Sequence, residues 1–160
     1  MFKVERKGEA PTSLARKVYN SPEVVERLNK MFHGKCYLCE QADLDAPEIE
    51  HFEPHMENEV LKFDWNNLFY SCARCNSIKG TRHKNLVDCC SDDINLVHAI
   101  KHIPPIMPDN DVGIAAIVDN PKVINTVELL KRCFKEDNTA LRGINRANLM
   151  ERLFKHYTKL

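Results

Sequence analysis

No run of about 18 apolar residues, the length a membrane-spanning helix needs, occurs in this chain of 160 residues. No membrane association is therefore expected. The opening segment MFKVERKGEAP lacks the apolar stretch of a signal peptide. The seven cysteines are an odd number, which a complete disulfide framework does not allow. These absences predict a reducing, cytoplasmic setting, where closely spaced cysteines serve metal or redox chemistry. Repeats, low-complexity tracts and a clear linker are missing as well. One domain over 1–160 is the economical expectation, since the length supports one real core but not two comfortable ones.

Net charge is absent too, with 23 Lys and Arg against 23 Asp and Glu. A neutral chain binds nucleic acid weakly unaided, because non-specific affinity comes mainly from phosphate neutralisation. The charge is nevertheless segregated. Residues 40–64 hold nine acidic side chains and one basic, residues 1–35 eight basic and four acidic, and residues 121–160 nine basic and four acidic. The acidic block suits a divalent cation. The basic ends suit either a phosphate backbone or solvated helix surface.

Along the chain, residues 1–20 are polar and read as an N-terminal arm, extended or loosely ordered. Ser21-Pro22 reads as a helix N-cap followed by proline at the first helical position. Val24, Val25, Leu28, Met31 and Phe32 then recur at helical spacing, and Gly34 is a fitting stop. Residues 40–47 read as a loop, Ile49 to Phe52 as a short strand ended by Pro54, and 55–64 as a charged connection. Leu68-Phe69-Tyr70 reads as a second strand, and Asn76 to about Lys79 as a short helix closed by Gly80. This gives a helix-plus-core unit over 21–84 and a mostly helical part over 85–160. In the latter, Val112 to Val118 reads as a strand and Asp119-Asn120-Pro121 as a turn. One helix carries Ile124, Val127, Leu130 and Phe134; a second runs from about Thr139 to Tyr157 with Leu141, Ile144, Leu153 and Phe154.

The strongest positive signal is a double Cys-x-x-Cys, Cys36 with Cys39 and Cys72 with Cys75. Four thiolates in two close pairs suit a closed tetrahedral zinc site. A minimal zinc ribbon has about 15–20 residues between its pairs; here 32 intervene, so the pairs frame an inserted element. A thioredoxin-like dithiol would use only one pair, at a strand-to-helix junction, and would leave the other unexplained. Cys89, Cys90 and Cys133 lack such spacing and read as core or surface thiols. Inside the frame, Glu50 and His51 set a carboxylate beside an imidazole, which suits a second, catalytic metal with its own base.

Three stretches carry a family resemblance: I-E-H-F-x-P at 49–54, W-N-N-L-F at 65–69 and C-x-x-C-N-x-x-K-G at 72–80. Together they resemble the ββα-metal core of HNH nucleases. With F-H-G-K-C-Y-L-C-E at 32–40 added, the chain is similar to HNH proteins of bacterial anti-phage operons, namely the nuclease component of Septu systems and its retron-associated relatives. The resemblance covers residues 21–80. Beyond it, Asn138, Thr139 and Arg142 are loosely similar to that group's C-terminal part.

The resemblance implies an α+β fold, a small ββα-metal core stapled by the four-cysteine zinc site and flanked by α-helices. It makes His51 the general base and Glu50 the metal-binding acid. Asn76 stands where many members carry His, and its oxygen suits magnesium or manganese better than zinc or nickel. Asn67 would hold the loop and orient the base, with Asn66 as the fallback. Lys79, Arg82 and Lys84 form a small basic cluster that reads as phosphate contacts or as plain surface, and His55 and His83 are near enough to serve as spare ligands, or are ordinary surface residues. The function implied is one-metal hydrolysis of nucleic acid, DNA more than RNA, by an effector subunit. Its partner would be a larger ATPase of ABC or overcoming-lysogenization-defect type. The alternative is a non-catalytic, zinc-stapled module that binds nucleic acid or protein.

Overall fold

A computed structural model describes residues 1–105, 111–135 and 146–157 of the chain. A single turn, α1 (Thr12–Ala15), precedes α2 (Pro22–Met31). The Ser21 hydroxyl accepts from the Val24 amide at 3.3 Å, and Pro22 supplies a first turn with its φ already set. Val24 and Leu28 on the inner face of α2 are fully buried, as is Phe32 just beyond it. The chain then enters the first cysteine pair. β1 (Pro47–His51) and β2 (Leu68–Cys72) follow as an antiparallel pair, with Glu50 opposite Phe69 and His51 opposite Leu68.

Between these strands lie α3 (Glu59–Phe63) and a 3₁₀ turn over Trp65–Asn67. β2 leads directly into α4 (Ala73–Lys79), and Gly80, at φ +48°, closes that helix by donating its amide to the Asn76 carbonyl at 2.9 Å. Leu68 to Ser71 are all buried, because α2 and α4 both pack on this strand. Phe69 sits at the centre, with ring centroids 5.6 Å from Phe32, 5.1 Å from Tyr37 and 4.8 Å from Phe52.

The remaining elements are α5 (Leu96–Ala99), β3 (Ile100–Ile103), β4 (Gly113–Ala116), α6 (Pro121–Lys135) and α7 (Arg146–Tyr157). β3 and β4 form a second antiparallel pair, and α6 packs against β4 and α4. Pro121, read above as part of a turn, opens α6 behind an Asn120 cap that accepts from the Lys122 amide at 2.9 Å. Val127, Leu130 and Phe134 are buried as their spacing predicts, while Ile124 is 46% exposed. Of the second expected helix, 146–157 is helical; Asn138, Thr139, Leu141, Arg142 and Ile144 lie outside the described residues. Among the described residues no helix is long and apolar enough to cross a membrane.

Residues 1–20 are not a loose arm. Val4 and Leu14 join the core. Arg6 donates to the Trp65 and Leu68 carbonyls at 2.9 and 2.8 Å, with its guanidinium 4.8 Å from the Phe69 ring centre. A planar cation on an aromatic face, with both terminal nitrogens bonded to carbonyls, holds the segment down. Three anchors spread over eleven positions leave no periodicity to read. The segment 55–64 likewise contains a helix, α3, too short to show a stripe and started by Asn58, whose side chain accepts from the Val60 and Leu61 amides.

Candidate metal and catalytic site

The sulfurs of Cys36, Cys39, Cys72 and Cys75 all lie within 4.8 Å of one another. A metal with four sulfur bonds of about 2.3 Å occupies a tetrahedron with edges near 3.8 Å; the Cys39 and Cys72 sulfurs are 3.9 Å apart. All the cysteines are free thiols. The donor set therefore fits a closed, structural metal such as zinc. Backbone geometry assembles it: Tyr37 donates its amide to the Tyr70 carbonyl at 3.0 Å, laying the first pair beside β2. The second pair occupies the β2–α4 junction, where the Cys75 amide points to the Cys72 sulfur at 3.4 Å. A fifth buried thiol, Cys133 of α6, comes within hydrogen-bonding reach of Cys75.

Strand alternation carries Glu48 and Glu50 toward α4, where Asn76 and Lys79 meet them one helical turn apart. Lys79 Nζ donates to Glu50 Oε1 at 2.7 Å and to the His51 carbonyl at 2.9 Å. Asn76 Nδ2 donates to Glu48 Oε2 at 2.7 Å. Both members of the Lys79–Glu50 pair are buried, at 1% and 5% exposed. Lys79 is thus removed from the basic surface cluster expected of it, because its position one turn after Asn76 turns it inward. Arg82 and Lys84 are exposed. Glu48 had no assigned role, although it shares a strand face with Glu50 and could have been read from the period-two pattern.

Burial pushes the Glu50 carboxyl from its ordinary 4.5 up to about 7, against the downward pull of Lys79 and with help from Glu48. The folded state thus holds this proton more tightly than the unfolded chain. Its contribution to stability is full below pH 4.5 and is lost as pH rises through about 7. Denaturant melts of the parent and of Glu50→Gln should differ in slope across this window, by up to roughly 3 kcal/mol in total. Parallel pH profiles would show that Glu50 does not titrate there.

His51 Nε2 lies 3.0 Å from the Lys62 carbonyl oxygen. A carbonyl only accepts, so Nε2 carries the ring proton, and Nδ1 of the neutral imidazole is left as the acceptor. Burial lowers the His51 pKa, which keeps the ring neutral at pH 7. Tyr19 and His55 pack edge-on against it, at centroid distances of 4.9 and 4.7 Å. A cleft of about 560 Å³ opens beside it, lined by Glu50, His51, His55 and Gly80 among others. Tyr19 carries no sequence signal, since it lies in the polar leading segment.

Asn67 is buried and accepts from the Glu53 amide at 2.7 Å. Its Nδ2 donates to the Glu53 and Leu61 carbonyls, both at 2.9 Å. It therefore closes the loop whose next residue, Lys62, holds His51. Asn66 is exposed and has no such role. His55 lies in the cleft, with Nδ1 accepting from the Glu57 amide at 3.1 Å. His83 instead pairs with Arg132 of α6 at 2.6 Å.

Two curated proteins match part of this chain. One is a Septu protein PtuB of Bacillus mycoides (strain KBAB4), 35% identical over 80 residues, covering 41% of this chain and 27% of that protein. The other is a Septu protein PtuB of Bacillus thuringiensis, 39% identical over 67 residues, covering 40% of this chain and 26% of that protein. The matched part thus spans about a quarter of the length of these relatives. No protein-family model matches the chain.

Proposed function

We propose that the chain is a one-metal HNH endonuclease that hydrolyses phosphodiester bonds, of DNA more than RNA, as the effector of a Septu-type anti-phage system. The observation that carries this reading is His51, neutral, with its tautomer set by the Lys62 carbonyl and Nδ1 left as an acceptor beside an open cleft. In the reaction Nδ1 takes a proton from water as the water oxygen bonds to phosphorus and the bond to the leaving oxygen breaks. The Lys62 carbonyl then faces the N–H of an imidazolium. Asn67 keeps that carbonyl in place through the loop it closes.

Glu50 and Asn76 would hold a magnesium or manganese ion, with Glu48 beside them; an all-oxygen donor set suits these hard cations. Such an ion supplies electrostatic stabilisation of the charge that develops on the phosphoryl group. One Glu50 oxygen is already taken by Lys79, which leaves the other for this purpose. A larger ATPase partner in the cytoplasm would deliver the substrate, because the chain is neutral overall. The second reading is a zinc-stapled binding module. The observation on its side is that Glu50 and Asn76 both have partners within the protein.

The metal series separates the two readings. Plasmid and RNA cleavage by the parent should need magnesium or manganese and gain little from added zinc. Asn76→Ala should lose activity and recover part of it at higher ion concentration, while Asn76→His should shift the preference toward nickel and zinc. The partner ATPase is added if the chain alone is silent. Identical rates and preferences in all three proteins would leave Asn76 as a partner of Glu48 only, and no cleavage by any of them would favour the binding module.

A further inference from the structure

The catalytic side of this molecule is a poor surface for a polyanion. Glu53, Glu57, Glu59 and Asp64 surround the loop that carries the Lys62 carbonyl, and Lys79 is spent on Glu50. A nucleic-acid strand passing His51 has to be held elsewhere. The leading segment and α2 form another cleft, of about 740 Å³, larger than the one beside His51. Lys3, Lys7, Arg27, Lys30 and His33 line it, and Glu5 is the one acid among its lining residues. Trp65 and Met31 give it an apolar floor.

The lysines of this cleft are accessible, while Arg27 is held by the Glu9 carbonyl at 2.7 Å and by Glu23 at 3.1 Å. Lys30 and His33 are exposed, and among the described residues neither makes an ion pair. Lys7 pairs with Glu5 and Lys3 with Asp92, but those pairs are largely solvent-exposed and exchange readily for a phosphate. The cleft is also tied to the catalytic loop. Trp65 follows Lys62 by three residues, so the chain places them no more than about 11 Å apart. Arg6, fixed on the Trp65 carbonyl, holds the leading segment in register with that loop.

We propose that this cleft binds the sugar–phosphate backbone of the substrate strand and holds it as the strand crosses His51. A charged groove with an apolar floor is how strands are held without reading their sequence. The basic excess of residues 1–35 thus has a use that their packed, irregular path does not reveal. The proposal rests on the nuclease reading, and the test keeps the two apart.

Fluorescence anisotropy of labelled single-stranded DNA and RNA is measured across a salt series, on the full chain carrying His51→Ala so that substrate stays intact. Adding Lys7→Glu and Lys30→Glu should weaken binding at least tenfold and flatten the log–log salt dependence by about two units, roughly one for each lost phosphate contact. Lys101→Glu with Lys122→Glu makes the same charge change on exposed positions of β3 and α6, and should cost far less. Zinc content and melting curves, unchanged in each variant, show that the fold is kept. Equal loss from both pairs, no loss from the cleft pair, or no binding by the starting protein at low salt each overturns the proposal. If binding follows the cleft lysines while His51→Ala cleaves like the parent, the nuclease reading fails and the cleft stands. If cleavage depends on His51 but the cleft pair binds normally, only the cleft proposal fails.

Discussion

His51→Ala is expected to lower phosphodiester cleavage by about 10²- to 10⁴-fold, the usual contribution of a positioned general base. Zinc content should not change, since His51 is not among the sulfur ligands. The melting curve should move little, because the variant loses one hydrogen bond to Lys62 and two edge contacts. The parent's pH profile adds a second signature. The base must be neutral, so the rate falls once pH drops below its pKa. Burial lowers that pKa from 6.5, which predicts a plateau that extends to more acid pH than a solvent-exposed histidine would allow. A variant that cleaves like its parent with magnesium or manganese present would remove His51 from the mechanism.

Cys39→Ser is expected to have the largest effect on the fold. Structural zinc supplies about 10–16 kcal/mol of apparent binding energy in small peptides at neutral pH, as much as a domain's whole typical net stability of about 5–15 kcal/mol. In this chain the metal would tie the loop before β1 to the β2–α4 junction, and those elements carry Asn76, Glu48 and Glu50. The variant should contain no stoichiometric zinc and show no cooperative melt, and a strong chelator should do the same to the parent. A folded, zinc-free parent, or a disulfide between Cys39 and any other ligand cysteine, would contradict this. Activity loss here would accompany unfolding, whereas His51→Ala loses activity with the fold intact. The two variants together separate staple from chemistry.

Most of the core around the four cysteines was legible from the chain. The strands at 49–52 and 68–70 and the helix ended by Gly80 appear within a few residues of where they were read. Their signals are local: short apolar or aromatic runs, a proline that ends the first strand, and a glycine that closes the helix. β3 was not legible, since Lys101 and His102 separate its two isoleucines and only pairing with β4 makes it a strand. In the candidate site, Glu50 and His51 stood out by their place between the cysteine pairs, and Asn67 only through the family resemblance. Glu48, Tyr19 and the Lys62 carbonyl did not, because a pairing partner, a packed ring or a backbone acceptor leaves no pattern in its own neighbourhood.

The chain by itself determined that four thiolates would come in two close pairs around a carboxylate–imidazole dipeptide, because thiolate spacing and residue chemistry are properties of short segments. Tertiary structure alone decided what each polar group does. It turned Lys79 inward to Glu50, matched Asn76 to Glu48, and aimed the Lys62 carbonyl at one nitrogen of His51. These partners lie between 11 and 29 residues apart in sequence. Within any short window each reads as ordinary polar surface, and only burial forces it to find its match.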